Sequence, residues 1–167
     1  GWSRALQKVV IGDGAEWIWN LVALHFSDAI QIVDLYHARQ HLWEVARKLY
    51  PNDEGKQKAW MKIHQKRLLD RGKIEKLVSA LRSIESDNPE VAKKIRTEAD
   101  YFERNRERMR YPKFRRQHLS VGSGVIEAGC KRSGMFWTVR GANAILALRC
   151  CHLNGEFEDY WEKRWAA

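Results

Sequence analysis

The sequence predicts an α/β fold that is predominantly α-helical, and three observations carry that prediction. Two short β-branched runs, near residues 8–12 and 29–33, each lead into an aspartate, Asp13 and Asp34. An aromatic stretch of helical pattern, Trp17 to Phe26, lies between them. From Tyr36 to about Arg106, apolar residues recur at helical spacing almost without interruption. Strand, helix and strand in that order imply a parallel pair joined by a right-handed crossover, with both aspartates on one edge. Open α/β sheets carry their reactive groups at the carboxyl edge. Two carboxylates there, in a basic chain, suggest metal-dependent chemistry on phosphates.

The helical stretch divides at recognisable stops. Leu42, Val45, Ala46 and Leu49 form a stripe closed by Pro51-Asn52-Asp53-Glu54-Gly55. Trp60, Ile63, Leu68 and Leu69 form the next, stopped by Asp70-Arg71-Gly72. Ile74, Leu77, Val78, Leu81 and Ile84 make a third, ending at Ser86-Asp87-Asn88. Pro89 suits the first turn of a helix capped by Asn88 or Asp87 and running through Val91, Ile95 and Tyr101-Phe102. Gly122-Ser123-Gly124 reads as a turn, with Ser123 placed to cap a helix bearing Glu127 and, one turn on, Lys131. The tail from Thr138 is helical again, with one face of Ala142, Ile145, Leu146 and Leu148. After the Asn154-Gly155 break, Phe157, Tyr160, Trp161 and Trp165 make another.

A chain of 167 residues with 44% hydrophobic content suits one domain with a core of its own. Its formal net charge of +9 favours a polyanionic partner, nucleic acid ahead of a membrane surface. No apolar run reaches the ~20 residues needed to span a bilayer, so no membrane partner is expected. Three cysteines, two of them adjacent, argue against a disulfide framework and for a cytoplasmic compartment. The chain starts at Gly1 without a methionine, which suggests a piece of something longer.

Arg104, Arg106, Arg108, Arg110, Lys113, Arg115 and Arg116 are interleaved with Met109, Tyr111 and Phe114. Arginines contact phosphates well and aromatics can stack on exposed bases, so this segment is expected to bind nucleic acid. The plainer alternative is a solvated helix end whose aromatics belong to the core. His37 and His41, four apart on one helix face and close to Asp34, could ligate a transition metal, but structural roles are favoured for them. Cys150-Cys151-His152 reads as buried thiols on an apolar helix, and most of the eight tryptophans as core.

Several ordered motifs resemble a known family. They are Gly12-Asp13-Gly14-Ala15-Glu16-Trp17-Ile18-Trp19, Ile32-Val33-Asp34-Leu35-Tyr36-His37-Ala38, His41-Leu42-Trp43 and Val121 to Lys131 with its Gly-Ser-Gly-Val-Ile-Glu-Ala-Gly-Cys-Lys core. With Ser133 to Asn143, they look like the ISKra-type insertion-sequence transposases, DDE enzymes with an RNase H-like core, distantly Mutator-like. The resemblance implies DNA transposition by DNA strand cleavage and strand transfer, with Mg²⁺ or Mn²⁺ held by three carboxylates. It implies Asp13 and Glu127 as the second and third catalytic, metal-binding acids. Asp34, His37 and Lys131 stand beside them as supporting residues.

The same resemblance divides the chain into a partial RNase H-like core, residues 1–38 and 107–167, and a helical insertion, residues 39–106. DNA would be held by Arg104, Arg108, Arg110, Lys113, Arg115, Arg116 and Arg140. DNA is the expected partner, homo-oligomerisation is left open, no small-molecule substrate is expected, and the compartment implied is the bacterial cytoplasm or nucleoid. The alternative is a non-catalytic DNA-binding or assembly module derived from a transposase. Two departures stand out. The strand carrying the first catalytic aspartate would lie upstream of Gly1. Relatives also continue past the Cys130-Lys131 position for about two helical turns, whereas here Lys131 runs straight into Arg132-Ser133-Gly134-Met135. Either the catalytic helix is shortened or a segment is closed up at that junction.

Overall fold

In the computed structural model, β1 (Val9–Gly12) and β2 (Ile30–Val33) pair in parallel, with Val9 opposite Ile30 and Gly12 opposite Val33. Two further backbone bonds extend the ladder: Ile30 N–H to Lys8 (2.8 Å) and Asp34 N–H to Gly12 (2.7 Å). The structure describes residues 5–124, of which residues 7–124 fall in one compact unit. Glu127, Lys131, Arg140, the Lys131–Arg132 junction, the three cysteines and the tail helices lie outside the described residues.

The connection between the strands is α1 (Glu16–His25), one residue earlier than its aromatic pattern predicts at each end. Trp19 and Val22 are buried. Trp17, Leu21 and Leu24 stand on the outer face, with Trp17 64% exposed, so this tryptophan is surface rather than core. The reason is geometric. A helix lying on a two-stranded sheet hides one stripe only, and residues 17, 21 and 24 share the opposite stripe.

Helices α2 (Leu35–Leu49), α3 (Glu54–Ile63), α4 (Ile74–Arg82) and α5 (Pro89–Arg104) follow at the expected stops. Asn88 caps α5 by accepting from the N–H groups of Glu90 and Val91, with Pro89 at its first turn. Asp53 caps α3 through the Lys56 N–H (2.8 Å). α4 packs on α5, and α2 packs on both α3 and α5. Leu42, Val45, Ala46, Leu77, Val78, Leu81, Ile95 and Phe102 fill the space between.

One apolar stripe differs from its prediction. Ile63, expected beside Trp60 and Leu69, is 50% exposed. Between α3 and α4 the chain forms a π-helical turn, His64–Leu69. It is closed by Asp70 N–H to Gln65 (2.8 Å) and Lys73 N–H to Leu68 (2.9 Å). Each bond spans five residues, so the wider turn rotates the buried face. Trp60, Met61 and Leu69 point inward and Ile63 does not.

After α5, a 3₁₀ turn (Arg106–Met109) packs against β2 and leads into α6 (Tyr111–Arg116). Met109, Tyr111 and Phe114 are all buried. The expectation that these side chains stack on bases is therefore corrected: they anchor the segment to the core. Among the described residues, no helix is long and apolar enough to cross a membrane.

Leu42 sits fully buried in α2 at the centre of this packing. Leu42→Ala is expected to destabilise the fold by about 2–5 kcal/mol, as for other buried leucines. Urea unfolding monitored by tryptophan fluorescence measures it, and a change below ~1 kcal/mol would show that α2 is not central.

Candidate functional site

β1 and β2 end side by side, so Asp13 and Asp34 leave the sheet on the same edge. The two carboxylates are held differently. Asp13 is exposed, and its Oδ1 accepts the Ala15 N–H at 2.8 Å, closing a short Asx turn before α1. Its Oδ2 has no hydrogen-bond partner among the described residues.

Asp34 is buried, 2% exposed, and both its oxygens are taken. Oδ1 accepts from the N–H groups of Tyr36 (2.7 Å) and His37 (3.4 Å), capping α2. Oδ2 accepts the Ser123 N–H at 2.6 Å. Next to it, Leu35 N–H donates to Val121 (2.9 Å), so residues 121–123 are stitched to the strand end. Burial pushes the Asp34 pKa up, but the hydroxyl and amide of Ser123 and the amides of Tyr36 and His37 outweigh it. The carboxyl stays below the usual aspartate range.

Gly122 and Gly124 fit this arrangement because the Tyr36 ring lies against both. A Cβ at either would approach the ring at 3.0 Å. The turn expected from Gly122-Ser123-Gly124 thus folds over the first turn of α2, and Asp34 holds it there.

The Asp13 turn is fixed from the other side by α5. The Tyr101 hydroxyl donates to the Asp13 carbonyl at 2.7 Å, and the Asn105 amide donates to the Gly14 carbonyl at 3.3 Å. Gly14 has φ +95°, and a Cβ there would lie 2.6 Å from the Tyr101 hydroxyl oxygen. His41 stacks on Tyr101, with centroids 3.8 Å apart, and its Nδ1 meets Glu98 Oε2 at 2.6 Å. Lys94 reaches the other Glu98 oxygen at 2.7 Å. Burial raises the Glu98 pKa, but the contacts of His41 and Lys94 outweigh it and leave the carboxyl below its usual range.

His41 thus faces Glu98 and Tyr101, and among the described residues no group of three histidines, cysteines or carboxylates could hold a metal ion. His37 contributes its backbone N–H to the Asp34 cap. Tyr101, Asn105 and Glu98 carry no motif of their own. Their only sequence signal is the shared face that residues 98, 101 and 105 occupy on α5.

The basic segment divides in two. Arg108 is committed inward: its Nε donates to Gln31 Oε1 at 2.7 Å, and its guanidinium lies 4.8 Å from the Trp19 ring centroid. Arg110 is clamped by Glu75 and Glu107, and donates to the Gly72 carbonyl at 3.2 Å. That clamp holds the Glu75 carboxyl down at about 2. Arg106 pairs with Glu103 at 2.7 Å. Arg104, Lys113, Arg115 and Arg116 are exposed, without a carboxylate partner among the described residues. Arg104, Arg106 and Arg108 line an open groove of about 700 Å³ beside Ala29–Gln31. That is the amino end of β2, roughly 15 Å along the strand from Asp34.

Asp34→Asn replaces an acceptor-only group by one that must present an N–H to one set of backbone donors. It is expected to destabilise the fold by about 1.5–3 kcal/mol, the range of hydrogen bonds to charged groups. Because the folded-state pKa lies below the ordinary value of 3.8, this contribution is complete above that value. It is lost as the pH falls through the folded pKa. The difference in stability between wild type and D34N, followed by denaturant titration at stepped pH, should therefore be constant from pH 5 to 7 and shrink below about pH 4. A difference that persists undiminished in acid would refute the charged cap.

No protein-family model matches the chain, and neither a curated protein nor a solved structure matches it significantly.

Proposed function

We propose that the chain is part of a DDE transposase of the ISKra type, acting on DNA by metal-dependent phosphodiester cleavage and strand transfer, with an RNase H-like core divided by the helices of residues 39–106. The observation that carries this reading is the contrast between the two acids on the sheet edge. Asp34 is saturated by the N–H groups of Tyr36, His37 and Ser123 together with the Ser123 hydroxyl, and serves as scaffold. Asp13 stands exposed beside it with Oδ2 unpartnered among the described residues. The scaffold carboxylate also holds the Gly122-Ser123-Gly124 turn at that edge, three residues along the chain from Glu127.

A hard divalent cation suits this donor chemistry, since Mg²⁺ and Mn²⁺ take carboxylate oxygens and retain waters. Asp13 fits as one ligand and Asp34 does not. Asp13 and Glu127 would hold the ion, which supplies charge stabilisation at the attacking and leaving oxygens. The protein's own part is positioning. The Ala15 N–H orients the Asp13 carboxylate, and α5 fixes the backbone beneath it. Exposed Lys113, Arg115 and Arg116 on α6 supply phosphate contacts, while Arg108 and Arg110 hold the segment in place.

A second reading is DNA binding without catalysis, supported by the exposed cations Lys113, Arg115 and Arg116 on α6. Asp13→Asn separates the two. Loss of Mg²⁺-dependent nicking of labelled DNA by more than the roughly 10–100-fold that outer contacts contribute supports catalysis. Nicking retained in D13N, or absent from the wild type while DNA binding persists, leaves the binding module.

Replacing Lys113, Arg115 and Arg116 with alanine should flatten the log–log salt dependence of DNA affinity by about 2–3 units, one for each released phosphate contact. Anisotropy titrations across a salt series measure it. Arg110→Ala should instead lower stability more than affinity, and an unchanged slope in the triple variant would remove α6 from the interface.

A further inference from the structure

The turn carrying Asp13 is gripped by a helix 88 residues further along the chain. Tyr101 in the last turn of α5 and Asn105, which caps its C-terminal end, donate to the carbonyls of Asp13 and Gly14 at 2.7 and 3.3 Å. Asn105 is itself buried and also bonds the Tyr101 carbonyl at 3.1 Å. The Tyr101 ring is fixed by His41 stacked 3.8 Å away and by Phe102 edge-on at 5.3 Å. Gly14 completes the fit: its φ is +95°, and the Tyr101 side chain takes the space a Cβ would need.

Two carbonyls on consecutive residues, each with a donor from one rigid helix, leave the peptide planes of the turn little freedom. The Asp13 carboxylate sits on those planes, oriented through its 2.8 Å bond from Ala15 N–H. From this geometry we infer that Tyr101, seconded by Asn105, is a positioning residue for Asp13, so that the helical insertion sets the aim of the acid on the sheet edge. The role assigned to that acid rests on the function proposed above; the latch itself does not.

Tyr101→Phe tests it, since it deletes only the hydroxyl and leaves the ring stacked on His41. The first arm is amide hydrogen exchange on the full chain. The Ala15 amide is expected to exchange about fivefold faster in Y101F, the effect of one net hydrogen bond. The amides of Leu77, Val78 and Leu81 should stay within about twofold. The second arm is a Mn²⁺ titration by electron paramagnetic resonance of wild type, Y101F and D13N. Manganese should bind several-fold more weakly to Y101F and lose the site in D13N.

An unchanged Ala15 amide, or a rise spread uniformly over α4, would overturn the latch. Exchange altered at Ala15 with Mn²⁺ affinity equal to wild type would overturn the claim that the latch aims the acid. If D13N binds Mn²⁺ as wild type does, the metal reading fails instead, and the exchange arm alone still decides the latch. Asn105→Ala gives a second, independent loss of the Gly14 contact should Y101F fold poorly.

Discussion

The fold hinges on a buried carboxylate that is never left without donors. Asp34 ends β2, begins α2 and receives the turn at residue 123, so one side chain joins three segments that meet nowhere else in sequence. Burying an ion is costly unless its lone pairs are filled. Here the backbone N–H groups of Tyr36, His37 and Ser123, joined by the Ser123 hydroxyl, fill them, and most of those donors cannot be removed by exchanging side chains. The first N–H groups of a helix are orphans in any case, so capping α2 and solvating Asp34 are one arrangement serving both needs. A glycine on each side of Ser123 lets the turn come close enough, because the Tyr36 ring occupies the space a side chain would take.

With Asp34 committed to structure, its neighbour is released from it. Asp13 occupies the equivalent position on the adjacent strand, yet among the described residues only one of its oxygens is bonded. The asymmetry follows from what comes after each aspartate. After Asp34 the helix begins at once, and its N–H groups fold back onto the carboxylate. After Asp13 comes Gly14 in a left-handed conformation, α1 starts only at Glu16, and the Asp13 carboxylate receives one N–H, that of the capping residue Ala15. Two residues of spacing between acid and helix therefore separate a saturated carboxylate from an exposed one.

The sequence exposed the elements more readily than the contacts among them. The parallel strands, their aspartate ends, the helices stopped at Pro51, Asp70 and Ser86, and the start at Pro89 were legible because periodicity and punctuation are local. The stripe containing Ile63 failed because a π-helical turn has no signature in a 3.6-residue pattern. Trp17 failed because apolarity alone does not say which stripe of α1 meets the sheet. Asp34 showed its place at the edge but not its cap, although an aspartate immediately before an apolar helix is a standard start signal. The grip of Tyr101 and Asn105 on the Asp13 turn was beyond reach, since nothing in a single sequence links positions separated by 88 residues.

The arginine-rich segment shows how composition alone misassigns roles. Met109, Tyr111 and Phe114 must be buried to tie the end of α5 back to β2. A 3₁₀ turn followed by a six-residue helix then dictates where the intervening cations point. Arg108 falls beside the sheet and settles on Gln31 and the Trp19 face, and Arg110 falls toward α4 and is captured by Glu75. Arg115 and Arg116, one and two positions past the last aromatic anchor, and Lys113 just before it are carried to the outside, as is Arg104 at the end of α5. A guanidinium held by two carboxylates has part of its charge compensated within the fold, whereas an exposed one without a carboxylate partner does not. The division between structural and available cations is thus set by the register of three buried side chains, and not by how many arginines the segment holds.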